Sequence, residues 1–157
     1  MSWVTPSRVN WAVCAVIVPD VNLLVHAMDA SSDHHAKAWD WWSATLVGAE
    51  HVGFTWPVLM GYVRLTTHPR IMIAPQRVES ALDDVNAWLE LPAVRILVPG
   101  PEHVHIMRRL ASAAGAYGNL VPDAHLAAMA LENGGTVYSQ DADFARFPEV
   151  RWVNPLV

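Results

Sequence analysis

The chain has 157 residues, 53% of them hydrophobic, with a mean hydropathy of +0.21 and a formal net charge of −5. That length and apolar content exclude a disordered chain and fit one domain with a single filled core. Fifteen acids against ten Lys plus Arg, with Lys37 as the lone lysine, exclude a protein that holds nucleic acid by broad positive charge.

Residues 1–14 read as a loose N-terminal extension. They carry an apolar stretch, but Trp3, Pro6 and Asn10 interrupt it, so neither a signal-peptide layout nor a bilayer span is expected. Cys14 is the single cysteine, which excludes an internal disulfide framework and a four-cysteine zinc site and suits a reducing, cytoplasmic setting.

From Val13 the pattern alternates. Val13–Pro19 is apolar throughout, as strands of a parallel sheet are. A short helix is expected over Val21–Met28, then a longer one over His34–Val47 with Asp33 as its N-cap and Gly48 as its stop. Trp39, Trp41 and Trp42 fall on different faces of that helix, so one buried face cannot take all three. Eight tryptophans in a chain this short suggest core packing together with an apolar surface kept for a partner.

His51–Thr55 is the second expected strand, and Pro57 opens a helix that Pro69 closes. Another is expected from Pro75, with Val78, Leu82, Val85 and Leu89 forming its apolar stripe. Val94–Val98 is the third strand, Pro101–Ala114 a helix, and Asn119–Pro122 leads into a helix that ends near Glu132 before Asn133-Gly134-Gly135. Thr136–Ser139 and Arg151–Asn154 close the chain as strands. Strands separated by helices imply crossover connections, hence an α/β fold with a mostly parallel sheet covered on both faces.

Four aspartates stand at the joints of this pattern. Asp20 follows the first strand, Asp123 opens a helix, and Asp141 and Asp143 follow the fourth strand. In a parallel α/β sheet such joints converge on one crevice. Hard cations such as Mg²⁺ and Mn²⁺ take oxygen ligands and keep several waters, so two to four carboxylates suffice to hold one. Phosphodiester hydrolysis is the chemistry such a site serves. Each residue also has a plainer reading: Asp123 as a helix cap, Asp141 as a turn residue. Asp20 resists that reading, because an acid directly behind a buried strand is costly unless paired or metal-bound.

Asn22 is placed either to orient Asp20 or to cap a helix. Ser139 and Thr55 are placed either to hydrogen-bond a carboxylate or phosphate or merely to end a strand. Phe144 is expected in the core, anchoring the loop of Asp141 and Asp143. Arg64, Arg70, Arg108 and Arg109 are candidates for phosphate contacts or for surface ion pairs. The eight histidines lack the spacing of a helical metal pair, and His125 is expected to point away from Asp123.

Four blocks in order carry a resemblance: Asp20-Val21-Asn22-Leu23-Leu24-Val25, the stretch from Pro57 to Thr67, the stretch from Gly118 to Ala128, and Ser139-Gln140-Asp141-Ala142-Asp143-Phe144 with Ala145-Arg146-Phe147. Together they resemble the PIN-domain ribonucleases, specifically the VapC-type toxins of bacterial toxin–antitoxin pairs, over residues 15–157. The resemblance implies a PIN-like three-layer fold and an acidic pocket for Mg²⁺ or Mn²⁺. It implies Asp20 and Asp123 as metal ligands, with Asp141 and Asp143 completing the catalytic set and Asp141 taken as the third ligand. Of the residues weighed above, Asn22, Ser139 and Arg64 are the ones expected to bind or orient substrate. It further implies single-stranded or loop RNA as substrate, a small VapB-type antitoxin that fills the pocket, and a homodimer.

One position departs from the family pattern. Where many members carry a glutamate, this chain has Gly61, and Glu79 lies too far along to replace it. The expectation is a metal-dependent endoribonuclease. The alternative is a degenerate PIN module that binds RNA or a protein without cleaving. A phosphatase using Asp20 as nucleophile fits poorly, since Asn22 stands where a second acid would be needed.

Overall fold

The computed structural model describes residues 15–157. Cys14, Val13 and the expected N-terminal extension lie outside the described residues. Five parallel strands form one sheet: β1 (Val16–Pro19), β2 (His51–Phe54), β3 (Val94–Ile96), β4 (Thr136–Tyr138) and β5 (Trp152–Val153). Their order across the sheet is β3-β2-β1-β4-β5, so the winding reverses at β1, which pairs with β2 on one side and β4 on the other. Crevices beyond the carboxyl ends of strands at such a reversal are where doubly wound sheets bind ligands. Asp20 immediately follows β1, and Ser139 immediately follows β4.

Among the described residues six helices connect the strands: α1 (Val21–Met28), α2 (His35–Val47), α3 (Trp56–Thr66), α4 (Val78–Leu89), α5 (His103–Ala114) and α6 (Leu120–Glu132), with a 3-10 turn over Ala142–Arg146. All four β1 residues are buried, as expected of a strand covered on both faces. The α/β class, the parallel sheet and the flanking helices all follow the sequence pattern. No helix among the described residues is long and apolar enough to cross a membrane.

The core centres on an aromatic group. Trp42 of α2 meets Trp88 of α4 edge-on at 5.5 Å, Trp88 stacks near Phe54 at 5.9 Å, and Tyr62 of α3 sits 4.9 Å from Trp88. This group overturns one expected stripe. α4 buries Ala81, Val85 and Trp88, whereas Val78 and Leu82 are exposed. The large indole of Trp88, rather than the aliphatic spacing, sets which face turns inward. The three tryptophans of α2 divide as expected: Trp42 is buried, Trp41 half-buried against Tyr138, and Trp39 exposed.

Three helix starts also differ. Asp33 does not cap α2; the cap position is His34, without a side-chain bond, and the entering turn is closed by Ser32, whose Oγ accepts from His34 N at 3.2 Å. α4 and α5 begin at Val78 and His103, after rather than at Pro75 and Pro101. Before α4 the chain is irregular, with Gln76 N bonded back to Thr66 O at the end of α3, and before α5 it is held in a turn closed by His103 N to Gly100 O.

Candidate functional site

Asp20 is the N-cap of α1 and is 9% exposed. Both of its oxygens are engaged. Val21 N donates to Oδ1 at 2.7 Å, Ser139 Oγ donates to Oδ2 at 2.7 Å, and Asn22 Nδ2 donates to Oδ2 at 3.1 Å. Asn22 Nδ2 also reaches Ser139 Oγ at 3.0 Å, and that oxygen accepts from Asp141 N at 3.0 Å. The ends of β1 and β4 are thus tied side chain to side chain. Burial pushes the Asp20 carboxyl up from its ordinary range; the bonds from Ser139 and Val21 pull the other way, and the charge of Asp141 adds to the rise.

Asp123 does not cap α6. The helix begins at Leu120 with Asn119 as N-cap, so Asp123 lies within the first turn, where the backbone N–H groups favour a negative charge. Its carboxyl is nevertheless pushed up to about 6, first by burial and then by the charges of Asp20, Asp141 and Asp143. All four acids therefore act on one region. Asp20 and Asp123 line a common cleft of about 410 Å³ with Val21, Thr55, Gly61, Arg64 and His125. Asp141 and Asp143 do not line it. Both are exposed, and Asp141 Oδ1 accepts from Asp143 N at 2.8 Å, which makes Asp141 the cap of the 3-10 turn.

The donor set suits a hard divalent cation. Asp20 and Asp123 bring carboxylate oxygens to the cleft wall, and the crowding that raises the Asp123 carboxyl is the kind a cation relieves. Among the described residues no three His, Cys, Asp or Glu side chains gather as a ready cage. Mg²⁺ needs none, since it keeps several waters and takes one or two carboxylates. Gly61 leaves space at the wall: a Cβ there would meet Val21 Cγ2 at 3.3 Å and nothing else closer.

Several neighbours escaped the sequence reading. His125 faces the same cleft as Asp123 instead of turning away from it. Its Nδ1 lies 2.9 Å from His103 Nε2, and His103 Nδ1 lies 2.6 Å from Glu132 Oε2, so the two histidines and the glutamate form one chain between α5 and α6. The spacing of His125 and Glu132, two helical turns apart on α6, was the available signal. Gln140 is a second case. It hydrogen-bonds His26 Nε2 at 2.8 Å and His34 Nε2 at 2.9 Å, pinning the loop that carries Ser139 and Asp141 against α1 and α2. No local pattern announces that contact.

Of the candidate arginines, Arg64 reaches the cleft, while Arg109 forms a surface ion pair with Glu149 at 2.8 Å. Phe144 is buried in the core, as expected. Thr55, beyond β2, is 2% exposed, and its hydroxyl has no hydrogen-bond partner among the described residues.

Comparison with known proteins agrees with the fold. The PIN domain profile matches residues 17–150. The chain is 37% identical over 141 residues to ribonuclease VapC33 of Mycobacterium tuberculosis, covering 90% of this chain and 99% of that one. It is 41% identical over 137 residues to a VapC ribonuclease of Mycobacterium bovis, covering 87% and 93%. Among solved structures, a chain of VapBC2 from Rickettsia felis, crystallised with a DNA fragment of its promoter, superposes with a TM-score of 0.65 at 14% identity, over 88% of this chain and 98% of that one. At that identity the likeness is one of fold.

Proposed function

The chain belongs to the PIN domain family, and from that premise we propose that it is a metal-dependent endoribonuclease, the toxin of a toxin–antitoxin pair. The observation that carries the reading is the meeting of Asp20 and Asp123, distant in sequence, in one cleft at the sheet's switch point. Relatives that match nearly the full chain are named ribonucleases.

Asp20 and Asp123 would hold Mg²⁺ or Mn²⁺, with Asp141 and Asp143 adding negative charge at the rim. Such a cation, when bound, supplies charge stabilisation at the phosphoryl group and acidifies water. The chain's own residues do the rest. Ser139 and Asn22 fix the Asp20 carboxylate, so that it is preorganised rather than free to rotate. Arg64, on the same wall, meets substrate phosphate. The partner is a VapB-type antitoxin, for which an arginine reaching the carboxylates is the natural competitor. Exposed apolar side chains on α3 and α4, Trp56, Met60, Val78 and Leu82, offer surface for that partner or for a homodimer.

The test is cleavage of total RNA by partner-free protein in Mg²⁺, in Mn²⁺ and in EDTA, with Asp20→Ala and Asp123→Ala alongside. The expected result is metal-dependent cutting lost in both variants. Intact RNA from folded, metal-binding protein would favour the non-cleaving binding module instead, with Gly61 as its cause.

A further inference from the structure

A polyanion entering this cleft meets the carboxylates of Asp20 and Asp123. One wall has the opposite character. Pro57, Val58, Gly61 and Arg64 of α3 face the cleft, and the end of α3 that starts there is its N-terminus. The first turn of a helix carries unbonded N–H groups and the positive end of the backbone dipole. At α3 those groups stay uncapped: Thr55 is the N-cap residue, yet its side chain makes no cap bond.

The Thr55 hydroxyl is instead buried and without a partner among the described residues. A buried hydroxyl left unpaired destabilises the fold, so one retained at a cleft calls for an explanation. Its position supplies one. In the parallel ladder Ile17 pairs with Val52 and Pro19 with Tyr138; continuing both registers sets Asp20 between Thr55 and Ser139. Two hydroxyls thus flank one carboxylate. Ser139 is spent on Asp20. Thr55 is not.

We propose that Thr55 and the uncapped first turn of α3 form a phosphate seat in the cleft, with Thr55 Oγ1 donating to a nonbridging oxygen of the RNA phosphate. The seat deepens the ribonuclease reading above and rests on it for the identity of the ligand. The hydroxyl is sealed from solvent while Thr55 itself lines the cleft, so donation to a bound phosphate requires a turn about χ1 that brings Oγ1 to the cleft side. Pro57 has no N–H, so Trp56 and Val58 carry the free donors of the first turn, and Val58 and Arg64 line the same cleft, which suits anion binding at a helix start. Thr55 is then a substrate-positioning residue whose hydroxyl is unpaired until substrate arrives.

The test compares wild type, Thr55→Val and Thr55→Ser by three measurements. These are thermal unfolding without metal, binding of a fluorescein-labelled single-stranded RNA in Ca²⁺, and cleavage of that RNA in Mg²⁺. Valine keeps the shape and removes only the hydroxyl. The expected result is that Thr55→Val melts at or above the wild-type temperature while binding RNA about tenfold more weakly, the weight of one hydrogen bond to a charged group. Thr55→Ser should bind as wild type does. A Thr55→Val protein that binds RNA like wild type overturns the seat, and so does one that melts lower, since its hydroxyl must then have had a partner in the fold. Wild type that binds but does not cut sinks the nuclease reading and leaves the seat standing on its binding result. Wild type that does not bind RNA at all overturns both.

Discussion

Ser139 donates a 2.7 Å hydrogen bond to Asp20 Oδ2, joining the ends of two adjacent parallel strands that lie 119 positions apart. Asp20 therefore sits in a rigid setting before any ligand arrives. The bond also explains how a carboxylate that is 9% exposed is tolerated there.

Ser139→Ala should damage both stability and ligand affinity. It removes the donor to Asp20 and the acceptor used by Asp141 N and Asn22 Nδ2. The unfolding free energy should fall by about 1–3 kcal/mol, the cost of leaving buried polar groups unpaired. Mn²⁺ affinity should fall by roughly 10–100-fold, as for other residues that orient a metal ligand. Urea denaturation and calorimetric titration with Mn²⁺ check the two figures.

Asp123→Asn should show a pH-dependent gain in the metal-free protein. The Asp123 carboxyl is pushed up to about 6 in the fold, above its ordinary 3.8. A raised pKa means that this group's contribution is fully present below about pH 4 and is lost as pH rises through about 6. Asparagine carries no such loss. From pH 4 to pH 8 the variant should gain on wild type by something on the order of 1 kcal/mol, after discounting for solvent at this half-buried position. Thermal melts at the two pH values measure it. Adding Mn²⁺ at pH 8 should reverse the ranking by stabilising wild type alone.

Gly61→Glu restores an acid at the cleft wall. A new Cβ meets Val21 Cγ2 at 3.3 Å, so Val21 must yield slightly. Removing a mid-helix glycine returns roughly 0.5–1 kcal/mol, which offsets that crowding and the added repulsion. Net stability should change little, while Mn²⁺ binds several-fold more tightly. Unchanged or weaker Mn²⁺ binding in a folded variant would show that the wall at Gly61 does not face the cation.

Trp88→Ala should unfold more readily than any site variant. Trp88 contacts Trp42, Phe54 and Tyr62 and is 5% exposed. Truncating a buried tryptophan costs about 3–5 kcal/mol, enough to remove much of a small domain's stability. Equilibrium unfolding followed by far-UV circular dichroism reads it directly.

Much of this was legible in local pattern. A continuous apolar run marked β1, a short stretch after Gly134-Gly135 marked β4, and the acids behind them pointed to one end of the sheet, because strand and helix periods are properties of neighbouring residues. Pattern failed where a distant side chain decided. The face of α4 was set by Trp88 joining Trp42 and Tyr62. Asp33 lost the cap of α2 because Ser32 closed that turn first.

What the sequence determined by itself, then, was the α/β class and the order of its strands and helices, since both rest on local spacing. The tertiary structure alone decided how the site residues meet. It set Asp20 and Asp123 on one cleft with His125, left Asp141 and Asp143 exposed outside it, and buried the Thr55 hydroxyl without a hydrogen-bond partner among the described residues. Strand order and register produced those outcomes. Contacts between β1, β2 and β4 join segments that no sequence window spans.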